Sequence, residues 1–564
     1  MDRRGATGVT LTRRGTDWNF ARAWEEIAAV VPDRPAIVTD RGRLTFGAFE
    51  DRAERLAGAL AERGIGEGDK VAIHLPNGAE YMEAFFAAAK LGAVPVNVNY
   101  RYVGPEVACL LDNADARALV FHAAFRSVAA DAMAAYRAGL ATLLEVGGEE
   151  GRDSDDHAPP VTGAEPYESV LAGAARRPAP RRPGGDDLFF LYTGGTTGLP
   201  KAVMWRHDDF YVAQWELARP GVPITEPADA VRAGKRAATT LPASPLMHSF
   251  GLSLALQTLA GGGTIVLVEG TRFDPTATLL IAARERVAVL GIVGDAFARP
   301  LLEALQALDD AGGAPDLSSL KAIVSSGAAW STATKARLAG RLPGVRLIDS
   351  LGSTEGPAAR SSTGADDAAE PVRFRAGRNV RVVDEQGRAI VPGSGTAGLL
   401  AVGGRTPLGY YKDPEKTART FRWIDGEPYT VAGDWARVEA DGTITLLGRG
   451  SGCINTGGEK VFAEEVEDVL RSHPSVADCA VVGVPDERFG EIVVAVVQPA
   501  PGHSLDETEA RRWCSTRLAG YKQPRAVVTV DDVGRSPAGK LDHPALRTLA
   551  AERLGRAGAG AGRR

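Results

Sequence analysis

At 564 residues the chain is too long for one hydrophobic core, so at least two domains are expected. Hydrophobic residues make up 44%, and a net charge of −6 over a mixed-sign surface gives no footprint for nucleic acid. Four separated cysteines, Cys109, Cys453, Cys479 and Cys514, form no CxxC pair, which argues against a zinc knuckle or disulfide scaffold and for a reducing, cytoplasmic setting.

No apolar run of about 18 residues suggests a membrane span, and the start carries no secretory pattern. Residues 1–15 read as a loose arm. A helix is expected over 20–27, short strands over 36–38 and 44–46 around Arg41 and Gly42, and a helix over 47–63. A strand over 70–75, a helix over 80–90 stopping near Gly92, and a strand over 94–98 complete an alternation that signals α/β layering. The polar stretch 149–187 is expected to be a surface excursion. From Leu188 alternating elements resume to about 448, ending in two strands around an Asp441–Gly442 turn. Beyond Arg449 a small unit is expected. It holds a strand about Cys453 to Asn455, a helix over 463–471, strands near 479–484 and 491–498, and a helix near 506–517. The boundaries that follow are a large domain over 1–448, a hinge over 449–451, a small domain over 452–546 and a disordered tail over 547–564.

The densest local signal is "LFFLYTGGTTGLPKAV", Leu188 to Val203. An apolar strand runs into Thr193, Gly194, Gly195, Thr196, Thr197 and Gly198, with Lys201 just beyond. Glycines let backbone amides turn toward an anion, threonines add hydroxyl donors, and lysine adds a positive charge. Together they describe a phosphate-clasping loop. It is not the GxxxxGK[ST] pattern of ordinary nucleotide hydrolases.

This segment resembles the phosphate loop of the adenylate-forming superfamily, which includes acyl- and aryl-CoA synthetases, peptide-synthetase adenylation domains and beetle luciferases. Further motifs follow in that superfamily's order over about residues 20–545. The resemblance implies a large multi-sheet N-terminal domain and a small, mobile α+β C-terminal domain. His248 in "SPLMHSFGL" stands where the family lines the floor of the acyl pocket. Gly327, Ala328 and Ala329 match the backbone that lies along adenine. In "DSLGSTEG", Asp349 would accept from the adenine amino group, Thr354 would contact the α-phosphate, and Glu355 would help hold Mg²⁺. Leu351 replaces the usual aromatic residue. Asp434 and Arg449 match the pair that fixes the ribose hydroxyls. Ser451 and Gly452 replace charged hinge residues. Gly457 and Gly458 match the lining of the pantetheine channel, with Lys460 close by among the cofactor-binding residues. Lys540 in "VGRSPAGKLD" matches the catalytic lysine. Catalytic roles are thus implied for Lys540, His248, Glu355 and Thr193.

The function implied is AMP-forming ligation of a carboxylic acid to coenzyme A through an acyl-adenylate, with ATP and Mg²⁺, in lipid metabolism. Loading of a carrier-protein thiol, or a non-catalytic nucleotide-binding protein, are the alternatives. "SPLMHSFGLSLAL" has no acidic residue to pair with a substrate amine. Ala243, Met247, Phe250, Gly251, Ala328 and Ala329 are small or apolar, and no charge lies between Leu241 and Leu256, so a bulky or long apolar acid is expected. Nothing in the sequence sets an oligomeric state, a homodimer included.

Overall fold

The first apolar stripe folds as helix Phe20–Val30, capped by Asn19, whose side chain accepts from the Ala21 amide at 2.8 Å. Its Trp24 is fully buried against Phe86, edge to face at 4.9 Å, and burial of such a ring contributes about 2–3 kcal/mol. Phe86 belongs to helix Ala79–Leu91, which stops at Gly92 because that residue turns left-handed, φ +65°. The computed structural model describes residues 16–147 other than 137, 158–176, 181–193, 201–232 other than 220, 234, 238–327, 330, 332–363, 372–449 other than 378, 453–534 and 543–555.

Among the described residues the strands form four sheets in an α/β arrangement. One carries Val94–Asn97 between Lys70–His74 and Leu188–Thr193, all parallel. Val94–Asn97 is buried along its whole length, as expected of a strand covered on both faces. A second sheet sets Thr240–Pro242, Val289–Ile292, Ala322–Ser325 and Arg346–Ser353 side by side in parallel, then turns back antiparallel through Gly356–Thr363. A third, antiparallel sheet holds the hairpin of Asp434–Val438 and Thr443–Arg449 around the expected turn. The fourth is small. Cys453–Thr456 pairs with Glu459–Phe462, the long strands Val476–Asp486 and Gly490–Pro499 pair antiparallel, and Gly490–Pro499 takes Ala526–Thr529 in parallel. Helix Ala463–Arg471 has the bounds its apolar spacing predicts.

The structure departs from the sequence reading in three places. The stretch 149–187 contains helix Tyr167–Gly173, with Tyr167 and Leu171 buried, and the Tyr167 hydroxyl donates to Glu83 Oε2 at 2.8 Å. Two apolar residues one helical turn apart suffice to anchor an otherwise polar run. The expected tail begins too early: helix His543–Arg553 packs Leu546 and Ala550 into a core with Val482 and Val494. Strand Lys201–Arg206 returns antiparallel to Leu188–Thr193, so the phosphate-loop motif bridges a strand pair. Among the described residues no helix is long and apolar enough to cross a membrane, and Cys109, Cys479 and Cys514 are free.

Candidate active site

Parallel strands place their carboxyl ends, and the loops that follow, on one side of a sheet, where ligands bind in open α/β folds. Here two sheets bring such ends to one cavity of about 240 Å³. Asn97 and Thr193 line it from the first sheet; Ser244, Val293, Ser326 and Gly327 line it from the second. Asn97 also fixes the loop that carries His248. Its Nδ2 donates to the Met247 carbonyl at 2.6 Å, while its Oδ1 accepts from the Tyr192 amide. Asn77 Oδ1 accepts from the Leu246 amide at 2.7 Å.

Thr354 and Glu355 form the tip between strands Arg346–Ser353 and Gly356–Thr363, and both line the cavity. The tip is held by neighbours on three sides. Trp205 Nε1 donates to the Thr354 carbonyl at 2.8 Å, the Tyr410 hydroxyl to Glu355 Oε1 at 2.7 Å, and the Thr430 hydroxyl to the Glu355 carbonyl at 3.2 Å. No group of three or more His, Cys, Asp or Glu with metal-binding spacing exists among the described residues. A single carboxylate is still a suitable donor for Mg²⁺, which keeps water and phosphate oxygens as its other ligands.

The opposite wall comes from the small sheet. Gly457 and Gly458 make the turn between Cys453–Thr456 and Glu459–Phe462, both left-handed, with φ +58° and +85°. Gly458 and Glu459 line the cavity. Glu459 is buried, yet it meets Arg101 Nη1 at 2.8 Å and His248 Nε2 at 3.0 Å. Burial alone would raise its pKa; His248, Arg101 and Lys522 outweigh that and hold it down to about 2. Nearby, Lys522 Nζ joins Glu465 of the small sheet's helix, at 2.5 Å, to Glu106 on helix Gly104–Ala114, at 2.9 Å. Burial raises Glu465 to about 7 against the pull of Lys522.

Of the residues the sequence singles out, Thr193, His248, Gly327, Leu351, Thr354, Glu355 and Gly458 line this cavity together, as do Met247 and Phe250. Asp349 does not. Its Oδ2 accepts from buried Lys335 Nζ at 2.9 Å, and burial, opposed by that lysine, raises its pKa. Lys201 also lies off the lining, paired with Asp413 at 2.5 Å. Asp434 stands opposite Arg449 in the strand register, and Asp434 is not among the lining residues. The side chains of Arg449 and Lys460 lie outside the described residues, as do Gly194, Gly195, Thr196, Thr197, Gly198, Ala328, Ala329, Ser451, Gly452 and Lys540. Ala243 packs with a core cluster, and Gly251 sits where a Cβ would come within 2.4 Å of the Pro245 carbonyl. Sequence reasoning missed Glu459, Arg101, Tyr521 and Arg360. The one available signal was the position of Glu459 directly after the Gly457–Gly458 turn.

A family model described as AMP-binding enzyme matches residues 24–411, and one described as AMP-binding enzyme C-terminal domain matches 465–540. A medium/long-chain-fatty-acid–CoA/3-oxocholest-4-en-26-oate–CoA ligase of Mycolicibacterium smegmatis is 40% identical over 95% of this chain and 97% of its own. A 3-oxocholest-4-en-26-oate–CoA ligase of Rhodococcus rhodochrous is 40% identical over 93% of this chain and 94% of its own. The solved structure of an amide bond synthetase from Marinactinospora thermotolerans matches with a TM-score of 0.75 at 28% identity, covering 94% of this chain and 99% of that one. With matches of this extent in both parts of the molecule, the chain belongs to the AMP-binding enzyme family and is an adenylate-forming acyl-CoA synthetase, with ATP and coenzyme A as substrates.

Proposed function

We propose that the acid is a medium-to-long-chain fatty acid or a polycyclic steroid-type acid. The observation that carries this reading is that relatives aligned over nearly the whole chain are named for those acids. The cavity supports it with apolar surface from Phe210, Leu217, Met247, Phe250 and Leu351.

In the first half-reaction an oxygen of the substrate carboxylate bonds to the α-phosphorus of ATP, and the bond to the bridging oxygen breaks, releasing pyrophosphate. Both reactants are anions, so catalysis consists of positioning and charge neutralisation. Thr193 and Thr354, both in the cavity lining, would donate hydroxyl hydrogens to phosphate oxygens. Glu355 is the residue that would hold Mg²⁺, which when bound offsets phosphate charge. Lys540 takes the role of the family's catalytic lysine in this step, and Asp434 and Arg449 that of the ribose pair. In the second half-reaction the thiol sulfur of coenzyme A bonds to the acyl carbon, the bond from that carbon to the phosphate oxygen breaks, and AMP and the thiol proton leave. We assign the arrangement with Gly458 and Glu459 in the cavity wall to this step. It follows that the small unit, from residue 452 through helix His543–Arg553, swings about a hinge at 449–451 between the two reactions.

The test is kcat/KM for CoA-dependent AMP release with acetate, benzoate, octanoate, palmitate and a polycyclic acid, at fixed ATP and coenzyme A. The larger apolar acids should lead, since each buried CH₂ contributes roughly 0.8 kcal/mol until the pocket is full. If acetate or benzoate leads, the assignment of the acid fails while the ligase stands.

A further inference from the structure

Strand Gly356–Thr363 runs back from the Thr354–Glu355 tip with Arg360 opposite Ser350, and both residues line the cavity. Between Leu241 and Leu256 the sequence offers no charged residue to pair with a second charge on the substrate; Arg360 reaches the cavity from a different strand. Its Nε is buried without a hydrogen-bond partner, and the guanidinium forms no ion pair among the described residues. The carboxylates of the lining are engaged elsewhere: Glu355 with Tyr410, Glu459 with Arg101 and His248. Burial alone draws Arg360 down to about 10, so it remains charged at neutral pH. A buried cation without an acceptor is costly, and the cost is relieved when a ligand brings one.

Position says which part of the ligand. Arg360 lies five strand residues beyond Glu355, roughly 16 Å along the strand at about 3.3 Å per residue. Helix His207–Ala218 packs against this strand and contributes Gln214 and Leu217 to the same cavity. Gln257 Nε2 donates to Gln214 Oε1 at 2.9 Å and holds that side chain in place. This end of the cavity therefore combines apolar surface with a donor fork that no described residue neutralises, away from the tip proposed to handle phosphate.

We propose that Arg360 selects acids bearing an acceptor oxygen, a ketone or a second carboxylate, at the end remote from the carboxyl group being activated. The proposal rests on the acid-ligase reading and sharpens its substrate class. A planar guanidinium can donate two parallel hydrogen bonds to a carboxylate or converge on one carbonyl oxygen.

The experiment compares three acids of equal length, long enough to span the cavity: a plain fatty acid, one with a ketone near its far end, and an α,ω-dicarboxylic acid. CoA ligation is measured with the wild type, Arg360→Met and Arg360→Lys. The wild type should favour at least one oxygenated acid over the plain one by about tenfold or more, because a site built for an acceptor rejects the analogue lacking it. The diacid leading assigns a charged partner, and the keto acid leading a neutral one. Arg360→Met should favour the plain acid with KM for ATP little changed, and Arg360→Lys should keep part of the preference even if the methionine variant does not fold. A wild type that prefers the plain acid, an equal loss on all three acids, or an effect on KM for ATP alone overturns the proposal. A wild type that ligates none of the three, the plain acid included, strikes the ligase reading instead. Calorimetric binding of the same acids to wild type and variants then decides the role of Arg360 separately.

Discussion

Glu459 is a buried carboxylate whose two close partners, Arg101 and His248, both belong to the large unit. Its folded pKa of about 2 lies below the ordinary 4.5, so its contribution is fully present above about pH 4.5 and is lost as pH falls through about 2. A shift of that size corresponds to about 3 kcal/mol. Glu459→Gln should therefore lower the urea-unfolding free energy by about 3 kcal/mol at pH 7, with the gap to wild type narrowing below about pH 4.5. A gap that stays constant from pH 7 to pH 3.5 would contradict the charge-based account. The sequence reading named Lys460 and passed over its neighbour. What a charge does depends on what it meets across the fold, here Arg101 and His248, and no local pattern reports partners hundreds of residues away. Arg360 was missed for the same reason. Thr354 and Glu355 were legible because they occupy the contiguous tip of one strand pair.

Among the elements, the hairpin Cys453–Thr456/Glu459–Phe462 is tightly constrained by its turn. A Cβ on Gly458 would lie 2.5 Å from Val293 Cγ1, and its φ of +85° disfavours any other residue. Gly458→Ala should leave pyrophosphate release nearly unchanged and slow thioester formation by about tenfold or more, the left-handed strain alone being about 1–2 kcal/mol. Adding Val293→Ala should restore part of the loss. Single-turnover measurement of each half-reaction decides, and equal slowing of both would place the hairpin outside the thiol step. Helices and strands with their own periodicity, such as Ala463–Arg471 and Leu188–Thr193, were readable from sequence. The partners they choose were not: Lys201–Arg206 folds back as a strand because it pairs with Leu188–Thr193, a tertiary choice that periodicity does not encode.

For the whole molecule, the proposed swing of the small unit makes its seam with the large unit the place where the two half-reactions would be separated. Lys522 is buried there between Glu465 of its own unit and Glu106 across the seam. Glu106→Gln removes the cross-seam charge while leaving Lys522 a carboxylate partner. It should weaken docking and slow the thioester step by about tenfold, a modest loss for a buried interfacial pair, with acyl-adenylate formation unchanged. Small-angle scattering together with both half-reaction rates would check it. Unchanged docking with both rates reduced would remove Lys522 from the account of motion.

On the proposed swing, Lys522 and Glu459 differ in what they would take with them from this seam. Lys522 leaves with Glu465 still beside it, so no bare cation is carried into solvent. Glu459 would leave both Arg101 and His248 behind, the latter in the lining of the cavity. Those two residues then constitute a receptor, and Glu459 its tethered ligand, held by the hinge at an effective concentration of the order of millimolar. Return of the small unit would in that sense be an intramolecular binding event, in which the Glu459 carboxylate regains its two partners while Lys522 regains Glu106.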